Sequence, residues 1–323
     1  MNPSRQYKQL TLGQRYQIEA LIGKGHAQKV IAETVGISEG ALSRELRVNR
    51  REGVYRADIA HTLTMQRRKT ARKHKKSDER HMPIIEKGLL LGWSPEKISL
   101  RMKIEVPEIA ISHTTVYKRI AANKTCGGAF YKKLPRFGKK RCKGGKRKAG
   151  RALIPNRTDI SERPEIVDLR SRIGDWEGDT VYGQDAHLVT LVDRKSRFTL
   201  IGKVDTKQST VVADTMIKLL QRVSSTHTIT LDNGGEFAAH ETVAAAMNAN
   251  VFFAKPYASY QRGTNENTNG IIRRTWPKKM ALGKLTESEI RTMELLINSM
   301  PRKVLGGRTP FEIHTGQKIA LIA

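Results

Sequence analysis

Charge is divided unevenly along these 323 residues, and the division limits what the chain can fold into. Residues 1–157 carry 37 Lys and Arg against 12 Asp and Glu, whereas residues 158–323 carry 22 against 19. The first half is therefore expected to lie against a polyanion, and the second to fold around its own acidic groups. A chain of this length suits two or three domains. Its hydrophobic share of 38% is enough for buried cores. No apolar run approaches the ~18 residues of a membrane-spanning helix, and the opening MNPSRQYKQLTLGQ lacks the apolar stretch of a secretory signal. Cys126 and Cys142, 16 positions apart, are too few for a zinc site and read as free thiols in a reducing compartment.

Residues 1–55 read as a helix-turn-helix DNA-binding domain. Thr11 with Gln14 three positions on makes a capping box. Tyr16, Ile18, Leu21 and Ile22 follow at largely helical spacing, and Gly23 and Gly25 stop the helix. Val30, Ile31, Ala32 and Val35 line the next helix, Gly36 makes the turn, and Ser38 caps a third helix with Leu42 and Leu46 on one side. Ser43, Arg44 and Arg47 stay on the other side, where such a helix reads base edges in the major groove. Residues 56–80, with MQRRKTARKHKK, form a basic helix or arm suited to phosphate contact. Residues 81–122 form a second, weaker helix-turn-helix-like DNA-binding domain. Ser94-Pro95-Glu96 opens one of its helices, and Ser112 caps another that carries Thr114, Thr115, Lys118 and Arg119. Residues 123–157 alternate Gly with Lys and Arg clusters. Without apolar periodicity they read as a basic linker that orders along phosphates.

From 158 to 323 the texture changes. IGDWEGDTVYG, HLVTLVDRKSR, FTLIGKVD, THTITLDNGGEF and VFFAKPY are short strand-like segments. Helical stretches are expected near 207–223, 239–249, 265–276 and 286–299. Three strands followed by alternating helix and strand predict a mixed α/β sheet with helices on its faces. Asp179 on the first strand, Asp232 at the carboxyl end of a later one and Glu266 at a helix start can converge at one sheet edge. Clustered carboxylates repel unless a cation neutralises them. Hard oxygen donors suit Mg2+ or Mn2+, two of which can promote in-line displacement at a DNA phosphodiester. Arg273, two helical turns after Glu266, faces the same side and suits the DNA backbone. Arg262 belongs to the same basic surroundings. Each acid also has an ordinary reading: Asp232 before Asn-Gly is a turn former. Asp175 and Glu177, which share the strand parity of Asp179, and Asp193 compete for the same role.

YKQLTLGQRYQIEALIGKGHAQKVIAETVGIS, GWSPEKIS, ISHTTVYKRI, GDWEGDTVYG, TLDNGGEF, PYASYQRGTNENTNGIIRR and PRKVLGGRTPFE together resemble the IS30 family of transposases over nearly the whole chain. The resemblance implies an RNase H-like integrase core (158–323) whose DD(33)E triad falls on Asp179, Asp232 and Glu266, with 33 residues between the last two. It implies terminal inverted repeats as the bound DNA, 3′-OH release and strand transfer as the chemistry, a homodimer or larger assembly, and a cytoplasmic, nucleoid-associated bacterial protein. TWPKKM departs from the family's Phe-Pro-Lys-Gly-type stretch at Trp276 and Lys279, which is expected to alter local packing or DNA contact. A metal-free DNA-binding regulator and a nuclease acting on RNA–DNA hybrids are the competing readings.

Arg44→Ala or Arg47→Ala should reduce discrimination between element-end and random duplex in a competition gel shift, while Glu266→Gln leaves it intact and abolishes chemistry. If all of these changes act on catalysis alone, the two-module organisation is wrong.

Overall fold

The computed structural model describes residues 9–70, 78–138, 154–255 and 263–322. The chain divides into two units, Met1–Lys75 and Lys76–Ala323. The first holds α1 (Leu12–Gly23), α2 (Gln28–Val35), α3 (Glu39–Asn49) and α4 (Ala57–Thr70). The capping box at Thr11 and Gln14 is present, Gly36 closes α2 in the left-handed conformation, and the Ser38 hydroxyl accepts from the Ala41 N–H. Ile18, Ile31, Ala32, Leu42, Leu46, Tyr55 and Ala60 make the core of this unit. Beside it runs a polar tie that charge counting would not reveal. Arg15 is 3% exposed and pairs with Glu45 of α3 at 2.7 Å, while its other nitrogens reach His61 and Thr64 of α4. The Tyr55 hydroxyl donates to the same Glu45, and burial followed by the Glu45 charge raises the phenol's pKa.

The second unit begins with α5 (His81–Leu90), α6 (Pro95–Glu105) and α7 (His113–Thr125), followed by the short α8 (Glu165–Leu169). The sheet comprises β1 (Asp175–Tyr182), β2 (His187–Asp193), β3 (Thr199–Val204), β4 (Thr228–Leu231) and β5 (Asn250–Phe253), in the order β3-β2-β1-β4-β5. The first three strands are antiparallel hairpins, whereas β4 and β5 join β1 in parallel through α9 (Ser209–Leu220) and α10 (His240–Met247). The remaining helices are α11 (Gly263–Thr275), α12 (Glu287–Asn298) and α13 (Pro310–Thr315). Five strands and four helices therefore occupy the stretches expected from the sequence pattern.

Alternation along the strands builds two apolar layers. Trp176, Val189, Leu191 and Leu200 pack with α9, α10 and β4–β5 residues on one face. Val181, Leu188 and Ile201 pack on the other with Ile271 and Ile272 of α11 and Ile290 and Ile297 of α12. That second layer continues without a break into Ile85, Trp93, Ile98, Met102, Val116 and Ile120 of α5–α7. Residues 81–122 thus share a core with the sheet, because their apolar faces point at α11 and α12. The expected boundary at 122/123 does not coincide with a break in the structure either. α7 runs on to Thr125, and Phe130, Tyr131 and Leu134 pack against the same core. Residues 139–153 of the expected linker, Cys142 among them, lie outside the described residues.

Strand β3 is a sheet edge, and α12 covers it. Asn298 accepts from the Thr199 N–H and donates to the Thr199 carbonyl, each at 2.8 Å, while Glu294 accepts from the Ile201 N–H at 2.8 Å. Side chains thus take the positions that a neighbouring strand would occupy. A buried ion pair ties the ends of the unit together. Arg101 of α6, 1% exposed, bonds both oxygens of Glu312 in α13 at 2.7 and 2.9 Å. Burial opposes ionisation of Glu312, but these bonds and the N–H groups of Thr309 and Ile319 pull its pKa down to about 2.

The departure noted at Lys279 has a backbone signature. Lys279 adopts φ 70°, in the left-handed region, at the place where the resemblance supplies Gly. Trp276, three residues earlier, is 6% exposed and packs in the second apolar layer. The left-handed conformation costs an L-residue ~1–2 kcal/mol, and the greater freedom of unfolded Gly offsets ~0.5–1 kcal/mol. Lys279→Gly should therefore stabilise this unit by roughly 0.5–1 kcal/mol in denaturant unfolding. A loss of stability would show that the strain assignment is wrong.

Candidate catalytic and nucleic-acid-binding sites

Strand β1 has antiparallel β2 on one side and parallel β4 on the other, and its odd-numbered side chains face α11. Three of these are acids with different fates. Asp175 is fully buried, bound by Arg172 at 2.9 and 3.0 Å and by the Thr228 hydroxyl. Glu177 is fully buried against Arg194. Asp193 on β2 is likewise consumed, accepting from the N–H groups of Gly174 and Ser196 and from the Ser196 hydroxyl. These three competitors hold the base of the sheet together. Asp179, further along, is only half-buried.

Asp179 is gripped from two elements. Its Oδ1 accepts from the Thr180 N–H at 2.8 Å, and its Oδ2 accepts from Asn269 Nδ2 at 2.7 Å. Thr190 of β2 holds the same pair, its Oγ lying 3.2 Å from the Asp179 carbonyl oxygen and 3.3 Å from Asn269 Oδ1. The parallel register sets Glu177 opposite Thr230. Two residues further along stand Asp179, still on β1, and Asp232, the first residue past the end of β4. Asp232 is half-buried just past the end of β4, with its Oδ1 accepting from the Gly234 N–H at 3.0 Å.

The Asn269 contact also orients α11. Glu266, Asn269 and Arg273 lie at three- and four-residue spacing, so they share one stripe of the helix. Asn269 touches Asp179 in the middle of the stripe, and at its end Arg273 Nη2 donates to the Tyr182 carbonyl at 2.6 Å. Glu266, one turn before Asn269, is exposed. Asp179 and Asp232 thus belong to neighbouring strands, and Glu266 to the helix packed against β1 and β2. Among the described residues, however, no group of three or more His, Cys, Asp or Glu side chains is close enough to hold a metal ion. The donor chemistry is nonetheless that of a hard-cation site: carboxylate oxygens, two of them on or just beyond paired strands. Arg273, with Lys278 and Lys279, lines a cavity of about 560 Å³ beside the end of β1.

A fourth acid, not singled out from the sequence, lies on the other side of the sheet. Glu236 accepts from the Thr180 and Tyr182 hydroxyls, each at 2.8 Å. A Cβ built on Gly234 would fall 2.5 Å from Glu236 Oε2 and 3.0 Å from Asp232 Oδ1, so a side chain there would displace the Glu236 carboxylate. Burial opposes the Glu236 charge, but hydrogen bonds from its own N–H, Tyr182 and Thr180, with Lys207 nearby, leave its pKa below the usual carboxylate value. Burial and Glu236 push the Tyr182 phenol up to about 12, while Lys207 Nζ sits 3.5 Å over its ring. The available signal was spacing: Glu236 follows Asp232 by four residues, as Asn269 follows Glu266 by three.

In the first unit, Ser43, Arg44 and Arg47 are exposed on α3 while Leu42 and Leu46 are buried. On α7, Thr114 and Lys118 are exposed, and Thr115 and Arg119 are half-buried. The Ser112 hydroxyl caps that helix through the Thr115 N–H. Arg262 lies outside the described residues.

A family profile described as Integrase core domain matches residues 171–259, which include Asp179 and Asp232; Glu266 follows shortly after. The chain is 38% identical over 314 residues to the transposase for insertion sequence element IS4351 of Bacteroides fragilis, covering 94% of this chain and 95% of that one. It is 34% identical over 321 residues to the transposase InsI for insertion sequence element IS30A of Escherichia coli (strain K12), covering 94% and 82%. It is 32% identical over 327 residues to the transposase for insertion sequence element IS1086 of Cupriavidus metallidurans, covering 95% and 94%. Likeness of this extent on both sides of the basic linker, joined to a mixed sheet of integrase-core type, places the chain in the IS30 family of insertion-sequence transposases.

Proposed function

We propose that this transposase binds the terminal inverted repeats of an insertion sequence, nicks the DNA to free a 3′-OH, and joins that 3′-OH to a second phosphodiester. The observation that supports it best is the clamp between Asp179 and Asn269, which holds the helix bearing Glu266 against β1 and β2. Asp179, Asp232 and Glu266 are the residues that would hold divalent Mg2+ or Mn2+. When bound, such ions supply Lewis acidity for the attacking and leaving oxygens of an in-line displacement. The chain's own groups do the positioning. Asn269 and the Thr180 N–H fix both oxygens of Asp179, the Gly234 N–H fixes one oxygen of Asp232, and Arg273 sits where a DNA backbone would pass. Glu266, on an exposed helix start, has the freedom to complete the set when DNA and metal arrive.

In this reading Ser43, Arg44 and Arg47 read bases, while Thr114, Thr115, Lys118, Arg119, Arg262 and Arg273 contact DNA nearer the catalytic sheet. Two ends must be joined together, which requires a homodimer or larger assembly whose symmetry matches the repeats. Among the described residues no helix is long and apolar enough to cross a membrane. That agrees with action on chromosomal DNA in the cytoplasm.

Asp232→Asn should bind end DNA like the parent and neither cut nor join it when incubated with labelled ends and Mg2+. Strand joining at the parent rate would sink the catalytic assignment. Asn269→Ala should lower the rate by about 10–100-fold and raise the divalent-ion concentration needed for half-maximal rate, as loss of a group orienting a metal ligand does. An unchanged metal requirement would mean that Asn269 only packs.

A further inference from the structure

On another face of α11, turned away from Asp179, lies a cavity of about 400 Å³ to which Thr264, Thr268 and Ile271 contribute. Its charged lining is Lys97, Arg170, Arg197, Arg274, Arg302 and Lys303, six cations and no carboxylate. Like charges gathered on one cavity repel, and a folded chain normally places acids among them. Few are available. Lys303 pairs with Glu96 at 2.8 Å, and Asp193 and Glu177 act on Arg197 from beneath. The deepest member, Arg302, is 7% exposed, and its Nε has no hydrogen-bond partner. Lys97 Nζ reaches only a soft neutral acceptor, Met300 Sδ, at 2.7 Å. Burial, then the charges of Arg302 and Arg274, bring the Lys97 pKa down to about 7. A buried guanidinium donor left open in an acid-free pocket is an incomplete site that an anion would complete.

The cavity does not stand alone. Lys97 and Arg274 also line a second cavity of about 560 Å³, where Glu96 is the one acid among the described residues, and which continues to Arg136 and to Tyr117 on the exposed face of α7. A free anion needs one pocket, whereas two adjoining basic cavities with shared walls suit a polymer. The first cavity lies across α11 from the Glu266 stripe. That separation is about one helix diameter, ~10 Å, or roughly two to three nucleotides of one strand.

We propose that this cavity binds a backbone phosphodiester of substrate DNA. Arg302 and Lys97 would hold the phosphate oxygens, and the adjoining trough through Arg274 and Arg136 would lead the strand from the catalytic edge towards α7. The proposal rests on the reading that this protein acts on DNA. It adds a grip on the phosphate backbone that is separate from the base-reading helices and from the carboxylates.

Salt dependence of binding to a fluorescent duplex tests it in the full-length protein. Lys97→Met keeps the length of the apolar stem, and Arg274→Gln changes an exposed member of the wall. Each should lower the magnitude of the slope of log K against log salt by about one. Inorganic phosphate should raise the melting temperature of the parent and not that of Lys97→Met. If either variant retains the parent's melting curve, affinity and slope, the site is not a phosphodiester grip. If phosphate protection disappears in Lys97→Met while the slopes of both variants are unchanged, the cavity takes free phosphate and the DNA assignment is overturned. Should Lys97→Met fail to fold, Arg274→Gln and Arg136→Gln decide by slope alone. Chemistry retained by Asp232→Asn would refute the catalytic reading without moving these slopes, so the two failures are distinguishable.

Discussion

The parallel pairing of β1 with β4 is the constraint on which the catalytic half depends. Because Asp175 and Glu177 stand opposite Thr228 and Thr230, the odd-numbered side chains of β1 emerge in one row on one face. That geometry turns an alternating strand into a graded series. Asp175 and Glu177, deep in the sheet, must be neutralised by Arg172 and Arg194. Asp179, next in the same row, reaches the rim half-exposed. A one-residue slip would send Asp179 into the apolar layer with α9 and expose Thr180 in its place. The buried ion pairs at the base also anchor the register, since a shifted strand would leave charges unpaired in the interior.

The same logic separates the two kinds of cation in the chain. Arg15, Arg101 and Arg194 are structural: each is nearly buried and meets a carboxylate at short range, while Arg172, 34% exposed, binds Asp175 from the surface. Arg44, Arg47 and Lys118 are exposed on helix surfaces. Arg302 and Lys97 belong to neither class, because they are largely covered and neither is paired with a carboxylate. Net charge counts all of these alike, so only the folded arrangement shows which positive groups remain available to a polyanion.

Much of the architecture was legible beforehand. Strand alternation, Ser and Thr caps, and Gly36 located the helices and strands because those signals are local in the chain. That Asp179 lies on the first strand, Asp232 at the end of a later one and Glu266 near a helix start was readable for the same reason. Three things were not. Arg15 looks like any solvated basic residue until the 30-residue separation to Glu45 is closed. The shared core of α5–α7 with the sheet depends on one apolar cluster that joins Ile98 with Ile272 and Ile297, which periodicity does not encode. Asn269 and Glu236 sit within segments singled out for their neighbours, yet their partners lie on β1, 90 and 54–56 residues away.

The covering of β3 bears on how copies of this protein can associate. A bare edge strand invites a second sheet to extend it, and such joining has little geometric selectivity. With Asn298 and Glu294 already occupying the outward amide groups of Thr199 and Ile201, that route is closed along this margin. An assembly that brings two element ends together must then avoid this margin, and helix faces, loops or the DNA itself are the surfaces it leaves on this side. Those contacts can form and dissolve as the ends arrive and depart, without opening a continuous ladder of backbone bonds.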